Sequence, residues 1–201
     1  MQPGTIIVLN GTTSAGKTSV LRAMQRELDA PYLEAGIDTF LFMLPGRWLD
    51  FPLWDEVLGR ASHAGPMGLR LFSGMHRAIR ELSLAGNNAL ADHALVEPAW
   101  VVECAALLAD LPAYLVGVQC APEVTAAREL ARGDRTPGQA ARQQARVHAH
   151  GVYDFVVDTT TASPDACAAQ IIAWLAEEPA PMAWRRLASD SGRSKLRPYG
   201  V

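Results

Sequence analysis

Gly11-Thr12-Thr13-Ser14-Ala15-Gly16-Lys17-Thr18 combines glycines, a lysine and a hydroxyl at a spacing suited to holding phosphate. Gly11 and Gly16 permit backbone angles that a Cβ would forbid, so main-chain N–H groups can converge on phosphate oxygens. Lys17 offers a mobile charge for the β- and γ-phosphates, and the Thr18 hydroxyl is placed to ligate Mg²⁺. The expected nucleotide-binding set is Gly11, Thr12, Thr13, Ser14, Ala15, Gly16, Lys17, Thr18 and Ser19. This loop lies between an apolar, β-branched run, Thr5–Asn10, and a segment where Val20, Leu21, Met24 and Leu28 recur at helical spacing. Strand, loop and helix in that order point to a bound nucleoside triphosphate, with Mg²⁺ as its counter-ion.

Two carboxylates stand where a second reactant would lie. Residues 31–37 read as a second strand with Asp38 at its carboxyl end, the edge along which open parallel sheets bind ligands. Asp38 could reach the same crevice as the phosphate loop and contact an acceptor there, or else be the N-cap of the segment that follows. Residues 88–96 read as a third strand, and Asp92 near its end would serve either the Mg²⁺ shell or the acceptor, or satisfy a turn.

Between Phe40 and Phe72, aromatic residues alternate with Pro45, Gly46, Pro52, Gly65 and Pro66, a composition that excludes one regular helix. Phe42 and Trp54 are expected in the walls of an acceptor pocket, although an insertion packed on itself fits the same composition. Arg47, Asp50, Asp55 and His63 are the polar residues here that could orient an acceptor, a lone histidine more often being scaffold.

Farther on, Arg132 and Arg135 flank Gly133-Asp134, next to Pro137-Gly138. Guanidinium groups on such a hinge-like segment could swing over a triphosphate, so residues 132–147 read as a lid with Arg132 and Arg135 as catalytic cations beside Lys17. The alternative is a solvated helix end, and for Arg142 the two readings balance.

These residues need a scaffold. Helices are expected over 69–85, with Leu71, Met75, Ile79 and Leu82 inward, from Pro98, from Pro122, and after a Ser163-Pro164-Asp165 cap. Residues 114–120 and 153–160 read as further strands, and His148 and His150 before the last one as scaffold. Strands alternating with helices build one five-stranded parallel sheet covered on both faces, an α/β three-layer sandwich of the P-loop kinase kind with an Arg-bearing lid. The domain spans 1–178, with an acceptor-pocket insertion at 39–73. Residues 179–201 read as a basic, turn-rich tail, loosely docked, with Trp184 and Tyr199 as anchors to the body or to a second subunit.

Composition bounds the rest. The chain has 201 residues, 49% of them apolar, which suffices for one domain with a filled interior. A net charge of -3 provides no broad basic face for nucleic acid. No apolar run is long enough to cross a bilayer, and no cleavable leader is expected. Cys104, Cys120 and Cys167 are too scattered for a disulfide framework or zinc site, which suggests reduced core thiols and a cytoplasmic location. An oligomer is left open.

From about residue 4 to 177 the chain resembles the chloramphenicol phosphotransferase family. The resemblance is carried by Ile7–Gly11 running into Ser14–Thr18, by Gly36-Ile37-Asp38, by Gly117-Val118-Gln119-Cys120, by Ala131–Arg135 and by Val157-Asp158-Thr159-Thr160. It implies an ATP-dependent O-phosphotransferase that inactivates an antibiotic at a primary hydroxyl. Asp38 would match the base, Asp92 the acceptor region, and Arg132 and Arg135 the lid. The chain departs from the family pattern at Ala91-Asp92, where paired aspartates stand, and within 40–72; both departures bear on the acceptor. Two other readings remain at this level. A metabolic kinase of the shikimate or nucleotide type would lack its acceptor motif here, and a non-catalytic nucleotide switch would need neither lid nor acceptor carboxylate.

Overall fold

A computed structural model describes residues 2–50, 52–58, 64–132 and 138–193. Its sheet is parallel throughout, in the order β2-β3-β1-β4-β5, built from β1 (Ile6–Asn10), β2 (Tyr32–Glu34), β3 (Asn88–His93), β4 (Ala113–Gln119) and β5 (Phe155–Asp158). Strand β1 is central, paired with β3 on one side and β4 on the other. Chain direction across the sheet therefore reverses beside β1, which opens a crevice beyond its carboxyl end.

Both faces of β1 are buried, which is why its sequence is apolar without alternation. Ile6 and Val8 point into a core shared with α4 (Pro66–Leu84), α5 (Pro98–Leu108) and α9 (Ala183–Arg193). Ile7 and Leu9 point into a second core shared with α1 (Lys17–Glu27) and α8 (Pro164–Leu175). The result is the expected three-layer α/β/α sandwich of the P-loop kinases. Ser163 caps α8 by accepting the Ala166 N–H at 3.1 Å. All three cysteines are free and buried.

Several boundaries differ from expectation. Strand β2 ends at Glu34, and Asp38 lies in the first turn of a short helix, α2 (Ile37–Leu41), whose N-cap is Gly36 rather than Asp38. Helix α4 begins at Pro66 and buries Phe72, Met75, His76, Ile79 and Ser83, with Leu71 and Leu82 half-buried against the same core. The described part of 40–72 sends a few apolar side chains into the core and leaves much of its surface exposed. Phe72 and Val57 are fully buried, and Phe40, Trp48, Trp54 and Met67 pack against them. Helix α3 (Trp54–Leu58) rests so closely on α4 that a Cβ at Gly68 would strike the Val57 carbonyl.

The C-terminal stretch also differs. Instead of a turn-rich tail, 183–193 form α9, whose Ala183, Trp184 and Leu187 enter the core. Asp154 accepts the Met182 and Ala183 N–H groups at 2.7 and 2.8 Å, which caps this helix. Trp184 thus anchors the segment to the body of its own chain, and Tyr199 lies outside the described residues. The prolines and arginines of this stretch hide a stripe that occupies one face only.

Candidate active site

The loop between β1 and α1 has the backbone its residues require. Gly16 has φ 86° and Ser14 φ 59°, left-handed angles that turn successive N–H groups inward. Gly11 passes so close to β4 that a Cβ would strike the Val118 carbonyl, and its N–H donates to the His93 carbonyl at 3.2 Å. Several polar groups of the loop are bonded to the protein itself, while the buried Ser14 hydroxyl has no hydrogen-bond partner among the described residues. The Lys17 ammonium donates to the Thr12 carbonyl at 2.7 Å, and the Thr159 hydroxyl donates to the Ala15 carbonyl at 2.7 Å. Arg128 from α6 (Pro122–Arg132) donates to the Thr159 carbonyl at 2.8 Å, and its Nη1 lies 3.8 Å from where a Cβ on Gly16 would stand. The Val157–Thr160 strand end is thereby tied to the loop.

Asp92, the penultimate residue of β3, is 6% exposed and accepts the Thr18 hydroxyl at 2.5 Å. Gly36 sits against it, because a Cβ there would collide with the Asp92 carboxylate. A small residue at the start of α2 is therefore what lets Asp38 approach the same place. Lys17, Thr18, Asp38 and Asp92 line one crevice of about 120 Å³, partly open to solvent. Its lining also includes the apolar Ile37, Leu41, Leu58, Ala94, Val96 and Trp100, and the amides of Gln139 and Gln143 from α7 (Gln139–Val147).

Other candidates lie elsewhere. Phe42 is 73% exposed and does not line the crevice, since α2 turns it outward while Leu41 faces in. Trp54 packs into the core rather than into the crevice. Arg47, Asp50 and Asp55 are exposed and away from it. Arg132 closes α6, while Arg135 and His63 lie outside the described residues. Trp100, expected only as core, also faces the crevice, and Gln139 and Gln143 carry no motif that would single them out.

Beneath the site lies a buried polar chain. The Glu103 carboxylate meets His76 Nδ1 at 2.9 Å, and His76 Nε2 meets His93 Nε2 at 2.8 Å. Burial, reinforced by the adjacent His76, pushes the His93 pKa well below its ordinary value. The bond to His76 holds the Glu103 carboxyl below its usual range. Asn10 ties the end of β1 to its surroundings. Its oxygen accepts the Leu95 N–H at 2.9 Å, and its nitrogen donates to the Val147 carbonyl and Tyr153 hydroxyl, both at 2.8 Å.

Residues 4–176 match the family described as "Chloramphenicol phosphotransferase-like protein". The chain belongs to this family. It is 34% identical over 200 residues to the "Putative O-phosphotransferase" of Mycobacterium tuberculosis, covering 93% of this chain and 89% of that one. Among solved structures it resembles the APS kinase of Mycobacterium tuberculosis in complex with AMPPNP and APS, with TM-score 0.61, 15% identity and coverage of 88% and 99%. It also resembles the shikimate kinase of Acinetobacter baumannii in complex with shikimate, with TM-score 0.63, 13% identity and coverage of 89% and 95%. Those structures share the fold. Family membership and the loop make this chain a nucleotide-using small-molecule kinase. No helix among the described residues is long and apolar enough to cross a membrane.

Proposed function

We propose that the chain transfers the γ-phosphate of ATP to a hydroxyl of a small, largely apolar molecule, an antibiotic such as chloramphenicol, and so inactivates it in the cytoplasm. The observation that carries this reading is the single crevice in which the phosphate loop and Asp38 share space with the apolar lining of Ile37, Leu41, Leu58, Val96 and Trp100. Such a lining suits a ring or hydrocarbon body better than a polyol.

The residues divide the work between them. Asp38 orients the acceptor hydroxyl and takes its proton as the new P–O bond forms and the bond to the β-phosphate breaks, leaving ADP. Lys17, with Arg132 and Arg135, neutralises charge on the phosphoryl oxygens. The Thr18 hydroxyl beside the Asp92 carboxylate is a pair of hard oxygen donors, which suits Mg²⁺, an ion that takes few protein ligands and completes its shell with phosphate oxygens and water. Bound there, the ion would supply further charge neutralisation at the phosphates. This assigns Asp92 to the metal rather than to the acceptor.

Incubation with ATP, Mg²⁺ and a panel of chloramphenicol, shikimate and nucleosides tests the reading by mass spectrometry. A phosphate-sized gain on chloramphenicol is expected. A gain confined to shikimate or a nucleoside would instead make the chain a metabolic kinase.

A further inference from the structure

We propose that Gln143 is a direct ligand of the transferring phosphoryl group, a neutral donor that α7 holds at the phosphate loop. The inference rests on the nucleotide-dependent transfer proposed above. Gln143 is 5% exposed and lines the crevice together with Lys17, Thr18 and Asp38. Its Oε1 accepts the Thr13 N–H at 2.7 Å, so the amide is oriented with its oxygen on the loop and its donor end is Nε2.

The helix that carries it is clamped at both ends. At its start, the Glu129 carboxylate from α6 accepts the backbone N–H groups of Gly138, Gln139 and Ala140. Glu129 thereby occupies the positive end of the helix dipole, where a carboxylate is favoured. At its end, the Val147 carbonyl accepts from Asn10, and Arg146 donates to the Val96 carbonyl at 3.1 Å. Placement this firm is what a group acting on a transition state needs.

The composition of the buried face points the same way. α7 buries Gln139, Ala140, Gln143 and Val147, so two amides occupy positions where a packing face would carry aliphatic residues. Both amides line the crevice beside the phosphate loop. Lys17 already brings charge to the loop. A neutral amide adds hydrogen bonds to equatorial oxygens as their charge redistributes during transfer.

A tether between α7 and the loop would explain the Thr13 bond without any such role, and the two accounts separate in binding. Gln143→Glu keeps an oxygen for Thr13 but removes the donors; Gln143→Met removes both. The measurement is calorimetric affinity for ADP·Mg²⁺, with and without aluminium fluoride as a mimic of the phosphoryl group in transfer. The wild-type chain should bind the fluoride complex at least about tenfold more tightly than ADP alone. Both variants should lose that gain. A gain retained by either variant, a loss shared equally by ADP and its fluoride complex, or no gain in the wild type would overturn the proposal. No ADP binding by the wild type would instead remove the nucleotide reading on which it rests.

Discussion

Gly36 decides how close the two carboxylates of the crevice can come to the phosphate loop. Adding one methyl group there forces the Asp92 carboxylate away from the Thr18 hydroxyl. Gly36→Ala should therefore leave the fold intact by circular dichroism, weaken the Mg²⁺ dependence of activity, and reduce turnover by about 10²-fold, as misplacement of a positioned group does. Unchanged Mg²⁺ titration would detach Asp92 from the metal. At this scale the phosphate loop was legible because its chemistry depends on the backbone freedom of adjacent residues. Asp38 was placed at the right edge of the sheet although the element carrying it is a helix. Gln143 was not legible, since a glutamine acquires meaning only from what lies opposite it, here Thr13 at a separation of 130 residues. Phe42 failed for the converse reason: an aromatic type does not say which way a short helix turns it.

Among the elements, α9 changes the account most. Residues 179–201 read as a loosely docked tail because prolines and arginines interrupt any apolar periodicity, yet Trp184 is 1% exposed and sits in the core against α5 and β4. Trp184→Ala should cost about 3–5 kcal/mol in urea melts, the range for removing a buried aromatic side chain. Asp154→Ala should cost about 0.5–2 kcal/mol through loss of the α9 cap. A Trp184→Ala loss under about 1 kcal/mol would mean that the helix is dispensable to the body. Conversely, α4 was expected from its periodicity and found, with His76 and Ser83 added to its buried face as polar residues that no apolar pattern reveals. Those two are satisfied by partners distant in sequence, Glu103 and the Gly4 carbonyl.

At the scale of the whole molecule, the sheet order places β3, β1 and β4 side by side, so their carboxyl ends deliver Asp92, the phosphate loop and the approach to α6 to one edge. That edge rests on the Glu103–His76–His93 chain, and stability should follow its protonation. Burial depresses the His93 pKa in the folded state, with His76 and Lys17 adding to the effect, so the unfolded chain takes up the proton first as pH falls below about 6.5. Glu103, held below its ordinary value, contributes stability above that value and loses it as pH drops through its depressed pKa. Both signs agree. The melting temperature should fall on acidification from pH 7 to 5, and His93→Gln should flatten that limb; an equally steep limb in the variant would remove His93 from the effect. The fold class was legible because alternating strands and helices with right-handed crossovers leave few arrangements. The buried chain was not, because its members lie on three separate elements.

The central claim is that Asp38 faces the phosphate loop across a gap that admits an alcohol. It is tested most directly by measuring, in parallel, turnover of the phosphorylated panel member and ADP affinity for the wild type and for Asp38→Asn. A base at that position predicts turnover lower by about 10²-fold or more with ADP affinity nearly unchanged. Turnover close to that of the wild type would contradict the account.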